Sequence, residues 1–180
     1  MPESAFSYDD FCGELEFSLP KSTEEQRQTW AATIIERDLD LKDLSRLLFS
    51  EKKTATRFLW MLSGIGMKSQ SKLFEALPFL LELSGKLDPA YQTAFANYWL
   101  IAGVPPENEA QAIDLSFQWL MNPGITVTIK SRALFVLFKL TKKHPELKNE
   151  LVLCLEDQLD KHSKDFRKRA LKVLNELRTS

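Results

Sequence analysis

The sequence predicts an all-α fold: a right-handed α-solenoid of about four helix pairs, preceded by one helix and an extended N-terminal arm. The first ground is an internal echo. Thr54–Leu62, Tyr91–Trp99, Ile129–Leu137 and Phe166–Leu174 can be laid over one another, and their fifth positions, Phe58, Phe95, Ala133 and Ala170, are separated by steps of 37, 38 and 37 residues. One unit of that length cannot bury its apolar face alone, so copies stack. The second ground is that no segment beyond residue 20 alternates with the period of a strand. The third is that connections between the apolar segments are short, which makes consecutive helices antiparallel neighbours.

Residues 1–20 read differently from the rest. Glu14-Leu15-Glu16-Phe17-Ser18-Leu19 alternates polar and apolar before Pro20, the pattern of an extended arm with one buried side. Such an arm lies against helices, is partly mobile, or occupies a groove. A single domain then spans residues 21–180. Ser22 is the expected N-cap of the first helix, with Glu25 as its capping-box partner and Trp30, Ile34 and Ile35 as its apolar face. Near Asp40 a shorter helix begins and carries Leu41, Leu44, Leu47 and Leu48. The first repeated stretch follows and is expected to end at Gly64-Ile65-Gly66. Ser69 then caps a helix through Leu73, Leu77, Leu80 and Leu81, which Pro78 should kink or split. Asp88-Pro89 starts the second repeated stretch and Gly103 stops it. Pro105-Pro106 opens a helix through Ile113, Phe117 and Leu120, and Asn122-Pro123-Gly124 is a turn. The third stretch runs from about Ile125 to Lys143. Pro145 opens a helix through Leu147, Leu151, Leu155 and Leu159, and the fourth stretch closes the chain.

Apolar residues make up 44% of the 180 and charged residues 27%, the range of a globular chain with a substantial core. No apolar run reaches the roughly 18–20 residues that span a bilayer, so no membrane partner is expected. The acidic N-terminus lacks the order of a signal peptide. Cys12 and Cys154 are isolated thiols without metal spacing, which points to a reduced, cytoplasmic setting. The net charge of −1 conceals an asymmetry: residues 1–124 hold 11 basic and 18 acidic side chains, and residues 125–180 hold 13 and 7. The basic end either attracts an acidic partner or nucleic acid, or is a solvated helix face.

Phe166-Arg167-x-x-Ala170-Leu171-x-x-Leu174, after a helix led by Pro145, resembles the second helix of a HEAT repeat. Ile129-Lys130-x-x-Ala133-Leu134-x-x-Leu137 is similar, with Lys130 in place of Arg. Phe58 and Phe95 stand where that family prefers a small residue, so the resemblance is clearest over residues 125–180. It implies a scaffold that binds proteins or peptides along the surface of its second helices, commonly the concave one. Some members of the family bind nucleic acid, DNA alkylation-repair glycosylases among them.

A helical wheel identifies the surface that a partner would meet. Ile129, Ala133, Val136, Leu137 and Leu140 share one arc, and Arg132, Phe135, Lys139 and Lys142 lie opposite. The repeat extends this outward face into a ridge of Arg57, Trp60, Asn97, Arg132, Phe135, Lys139, Arg169 and Lys172. An aromatic ring on a polar face is apolar area that a partner can cover, and Trp and Arg are frequent hot-spot types. Either Trp60 and Phe135 meet a partner or they pack beneath a neighbouring segment; their burial decides. Trp30, Trp99 and Trp119 lie on apolar arcs and read as core.

No catalytic constellation, cofactor motif or metal motif emerges. His144 and His162 read as helix-end residues. Gly64-Ile65-Gly66-Met67-Lys68-Ser69 sets glycines before a Lys and a helix start, a candidate anion site at Lys68 and Ser69. It is not a P-loop, because Lys68 follows Met67 and a helix precedes it. It is similar in part to the mobile glycine-serine-methionine-lysine loop of the aspartase and fumarase lyases, but lacks that signature's Pro and Asn. A non-catalytic interaction module is therefore the expected function. Nucleic-acid binding through the basic C-terminal repeats is the alternative, and it is opposed by residues 76–124, which carry one basic group against five acidic.

Overall fold

The computed structural model describes residues 6–179, and every regular element among them is helical. The chain forms two compact units, Met1–Ala94 and Phe95–Ser180.

The first unit begins with a correction. Its expected extended arm is a helix, α1, over Tyr8–Ser18, with Ser7 Oγ accepting from the Asp10 N–H at its start; residues 1–5 of that arm lie outside the described residues. The alternation at 14–19 misleads because only two of its three apolar residues face the core. Leu15 and Leu19 are fully buried, as residues one helical turn apart can be, whereas Phe17 is 85% exposed. A 3-10 turn at Leu19–Lys21 then absorbs Pro20. Helix α2, Glu24–Glu36, is capped one residue later than the sequence suggests. Thr23 Oγ1 accepts from the Gln26 N–H, and the Thr23 N–H donates to Gln26 Oε1. Ser22 is unavailable because its hydroxyl donates to the Leu19 carbonyl at 2.8 Å. Asp38, in the left-handed region at φ 49°, closes α2, and the Leu39 N–H reaches back to the Ile34 carbonyl.

Asp40 caps the short α3, Leu41–Leu44, by accepting from the Lys42 N–H. The next two helices are longer than the sequence implies. Helix α4 covers Lys52–Lys68 and α5 covers Gln70–Leu87, with Ser69 alone between them. Gly64 and Gly66 therefore lie inside a helix and do not form a loop. Met61, Leu62 and Ile65 are all but inaccessible there, and their burial outweighs a glycine penalty of about 0.5–1 kcal/mol. A methyl group added at Gly64 would meet nothing within 4 Å. Gly64→Ala is expected to raise stability by about 0.5–1 kcal/mol, measured by denaturant unfolding; a loss would mean that this position is more crowded than its geometry indicates. Pro78 likewise leaves α5 unbroken. It removes one backbone donor, but Leu73, Leu77, Leu80 and Leu81 hold the helix by burying almost completely. At the centre of the unit, α4 packs against α2, α5 and the 3-10 turns at Leu19–Lys21, Ser45–Phe49 and Pro89–Ala94.

The second repeated stretch is divided. Tyr91 to Ala94 belong to a 3-10 turn that ends the first unit, and Phe95 opens α6, Phe95–Ala102, in the second. Four further helices follow: α7, Glu109–Met121; α8, Val127–Thr141; α9, Leu147–Gln158; and α10, Lys164–Thr179. Each packs on the next, α6 packs on α8, and in addition α7 packs on α9 and α8 on α10. Trp99 and Trp119 stack within this unit at 6.0 Å between ring centroids. With Trp30, they are buried as the wheel predicts. The fifth position of every repeated stretch, Phe58, Phe95, Ala133 and Ala170, is at 0% exposure. Lys130 is the unexpected member of this core. It is 1% exposed, and its Nζ donates to the Leu120 carbonyl at 2.8 Å. The last turn of α7 thereby gains a cation where its carbonyls lack helical partners.

Candidate functional site

Phe58, Leu59, Met61 and Leu62 turn the buried side of α4 inward, and Trp60, between them in sequence, is 52% exposed. Two guanidinium groups lie over its ring. Arg57, one turn earlier, has its Cζ 4.5 Å from the ring centroid, and Arg27 of α2 has its Cζ at 5.5 Å. The Arg27 Nη1 is fixed by donating to the Ser22 carbonyl at 2.8 Å and to Ser22 Oγ at 3.1 Å. Burial first, and the Arg57 charge second, lower the Arg27 pKa. Among the described residues neither guanidinium forms an ion pair with a carboxylate. The result is an aromatic platform carrying two adjacent positive charges without an ion-pair partner among the described residues, although the Glu24 carboxylate acts on Arg27 through space.

Arg57 and Trp60 are thus brought together, with Arg27 as a third member. That contact joins residues 33 apart, and only the packing of α2 on α4 creates it. The other six expected ridge positions belong to the second unit. Asn97 in α6 is half-buried and engaged in an interaction. Along α8, Arg132 and Phe135 are half-buried and Lys139 is exposed, whereas Val136 and Leu137 are buried. Arg169 and Lys172 on α10 are exposed. The expected anion site fares differently. Lys68 is the last residue of α4 and its Nζ donates to the Gln28 carbonyl at 3.4 Å. The Ser69 N–H donates to the Ile65 carbonyl at 2.8 Å, so no glycine loop cradles a ligand there.

Several titratable groups sit in contacts between elements. Glu109 accepts from Lys143 and lies 2.9 Å from His144 Nε2, contacts that hold its carboxyl below the ordinary value and tie the start of α7 to the end of α8. Burial, with help from Asp157 and Glu150, pushes the Cys154 thiol up to about 11, so it stays protonated at neutral pH and is a poor nucleophile. Among the described residues no three His, Cys, Asp or Glu side chains form a metal-binding group, and no helix is long and apolar enough to cross a membrane.

His162 gives a measurable pH response. Its Nε2 is 2.8 Å from Gln158 Oε1 and its ring packs edge-on against Phe166. Burial, then the charges of Lys130 and Lys161, hold its pKa below 6.5. The unfolded chain therefore takes up this proton at a higher pH than the folded protein does. The contribution of His162 to stability is fully present above 6.5 and is lost as the pH falls through the folded value. His162→Gln is expected to flatten the dependence of Tm on pH between about 7 and 5, and an unaltered slope would exclude the effect.

A second surface escaped the wheel. A groove of about 770 Å³ runs between α7 and α9, with Phe117, Met121, Leu153 and Cys154 among its lining residues. A signal existed in Leu151-Val152-Leu153-Cys154-Leu155, five consecutive apolar residues that exceed one buried helix face. Leu151 and Leu155 are fully buried, and Leu153 is 67% exposed.

The chain matches no protein-family model, no curated protein and no solved structure.

Proposed function

We propose that this protein is a non-catalytic interaction module that binds an acidic protein segment, and that Trp60, Arg57 and Arg27 form the centre of its site. The observation that carries this reading is the half-exposed indole beneath two guanidiniums that lack carboxylate partners among the described residues. A segment with an apolar or aromatic residue beside Asp, Glu or phosphorylated side chains would cover the ring and neutralise both charges. The HEAT-like solenoid is part of the same proposal. Its support is the contact pattern of the second unit, in which the first helices of consecutive pairs, α7 and α9, pack together and so do the second helices, α8 and α10. Full burial of the fifth position in all four stretches agrees with it. Two free, buried thiols fit a cytoplasmic setting. The test is a peptide array of acidic segments with and without an aromatic residue. Selective capture by the wild-type protein, lost in Arg27→Glu/Arg57→Glu, supports the reading, and equal capture by both proteins removes it.

Nucleic-acid binding is the second reading, and α10 favours it. Lys168, Arg169 and Lys172 are exposed and without ion pairs among the described residues, whereas Arg167 pairs with Asp160 and Arg178 with Glu156. Undetectable affinity for duplex DNA or RNA at about 50 mM salt would eliminate this reading.

A further inference from the structure

We infer that the groove between α7 and α9 is a second docking site, and that its occupant is a basic amphipathic helix of a partner protein. The groove is lined by both apolar and acidic side chains. Met121 is 47% exposed and Leu153 67%, and Phe117 and Cys154 complete the apolar surface. Glu146, Glu150 and Asp157 line it too, and no Lys or Arg does. Residues 146, 149, 150, 153, 154 and 157 follow one another at the spacing of a single helix face. That stripe is about 16 Å long, which matches about three turns of an occupant helix with apolar anchors at i, i+4 and i+7.

Charge complementarity selects the occupant's sign. Glu150 has no ion pair among the described residues, and Glu146 meets only His144 Nδ1 at 3.5 Å. Asp157 is partly neutralised by Lys161 at 2.7 Å, so the open negative charge lies toward Glu146 and Glu150. An anionic partner would be repelled, and Lys or Arg beside the apolar anchors would be paired. The apolar lining suits an adaptable fit, because Cys154 Sγ lies 3.2 Å from Met121 Sδ and the thioether is flexible and polarisable. This site differs in charge from the Trp60 cluster and lies in the other unit, so the two proposals stand or fall separately.

The test uses the full chain and a fluorescein-labelled synthetic peptide of Leu and Lys, about 14 residues long, with Leu at i, i+4, i+7 and i+11. Its control is the same peptide with Glu in place of every Lys. Fluorescence anisotropy is expected to show saturable, micromolar binding of the Lys peptide and at least tenfold weaker binding of the Glu peptide. Leu153→Gln, at an exposed position, should weaken the Lys peptide at least tenfold with an unchanged circular dichroism spectrum and Tm. Glu146→Lys/Glu150→Lys should weaken it comparably, and Arg27→Glu/Arg57→Glu should not. No binding of the Lys peptide, equal binding by Leu153→Gln, or equal binding of the Glu peptide would each overturn the inference. So would sedimentation showing that the protein alone dimerises and that Leu153→Gln abolishes the dimer, because the occupant would then be a second copy of this chain.

Discussion

Phe58→Ala is expected to destabilise the protein by about 3–5 kcal/mol, whereas Trp60→Ala, two residues further along the same helix, should leave its stability within about 1 kcal/mol of wild type. Phe58 is at 0% exposure in the most heavily packed helix of its unit, so its removal costs both transfer energy and a cavity. Trp60 already spends half its surface in water, and its attraction for the two guanidiniums is worth about 0.5–1 kcal/mol at an exposed site. For a unit of this size each kcal/mol shifts Tm by about 4–8 °C, so circular dichroism melts separate the two variants without ambiguity. A large fall in Tm for Trp60→Ala would make this ring a packing residue and remove the centre of the proposed site.

Arg27→Glu/Arg57→Glu is expected to weaken binding of an acidic segment by at least about 30-fold, roughly 2 kcal/mol, and to reverse the sign of its salt dependence. Reversal converts two attractive charges into two repulsive ones against the same ligand, so the effect should exceed that of neutral substitutions at the same positions. Arg27→Gln/Arg57→Gln provides that comparison and should lose less affinity. Isothermal titration at two ionic strengths measures both quantities. Stability should change by no more than about 1 kcal/mol, the scale of the exposed cation–π contacts that the reversal removes. Equal affinities for wild type and the reversed variant would place the partner elsewhere.

Much of the fold was legible in the sequence. Helical periodicity marked the buried faces of α4, α8 and α10, and the repeat located four positions that are fully inaccessible. The cap of α2 was legible to within one residue, because side-chain competition shifts it: Ser22 bonds backwards and leaves Thr23 to cap the helix. Breakers were the weakest signals. Gly64, Gly66 and Pro78 cost only local energy, and the burial of neighbouring leucines and isoleucine overrides that cost. The N-terminal segment reads as extended because a six-residue alternation satisfies a strand and one side of a helix almost equally, and only contact with the core distinguishes Leu15 and Leu19 from Phe17.

By itself the sequence determined the all-α class and the inward positions of the repeated helices, because side-chain periodicity along one helix is a local property; it put Trp60 and Phe135 alike opposite the buried arc and left their exposure open. Tertiary structure alone decided which outward residues become a site. Arg27 reaches Trp60 across the packing of α2 on α4, Lys130 is drawn inward to the end of α7, and Leu153 faces a groove that exists only because α7 and α9 lie side by side. Each of these depends on what the neighbouring helix supplies, and no periodicity within a single segment encodes that.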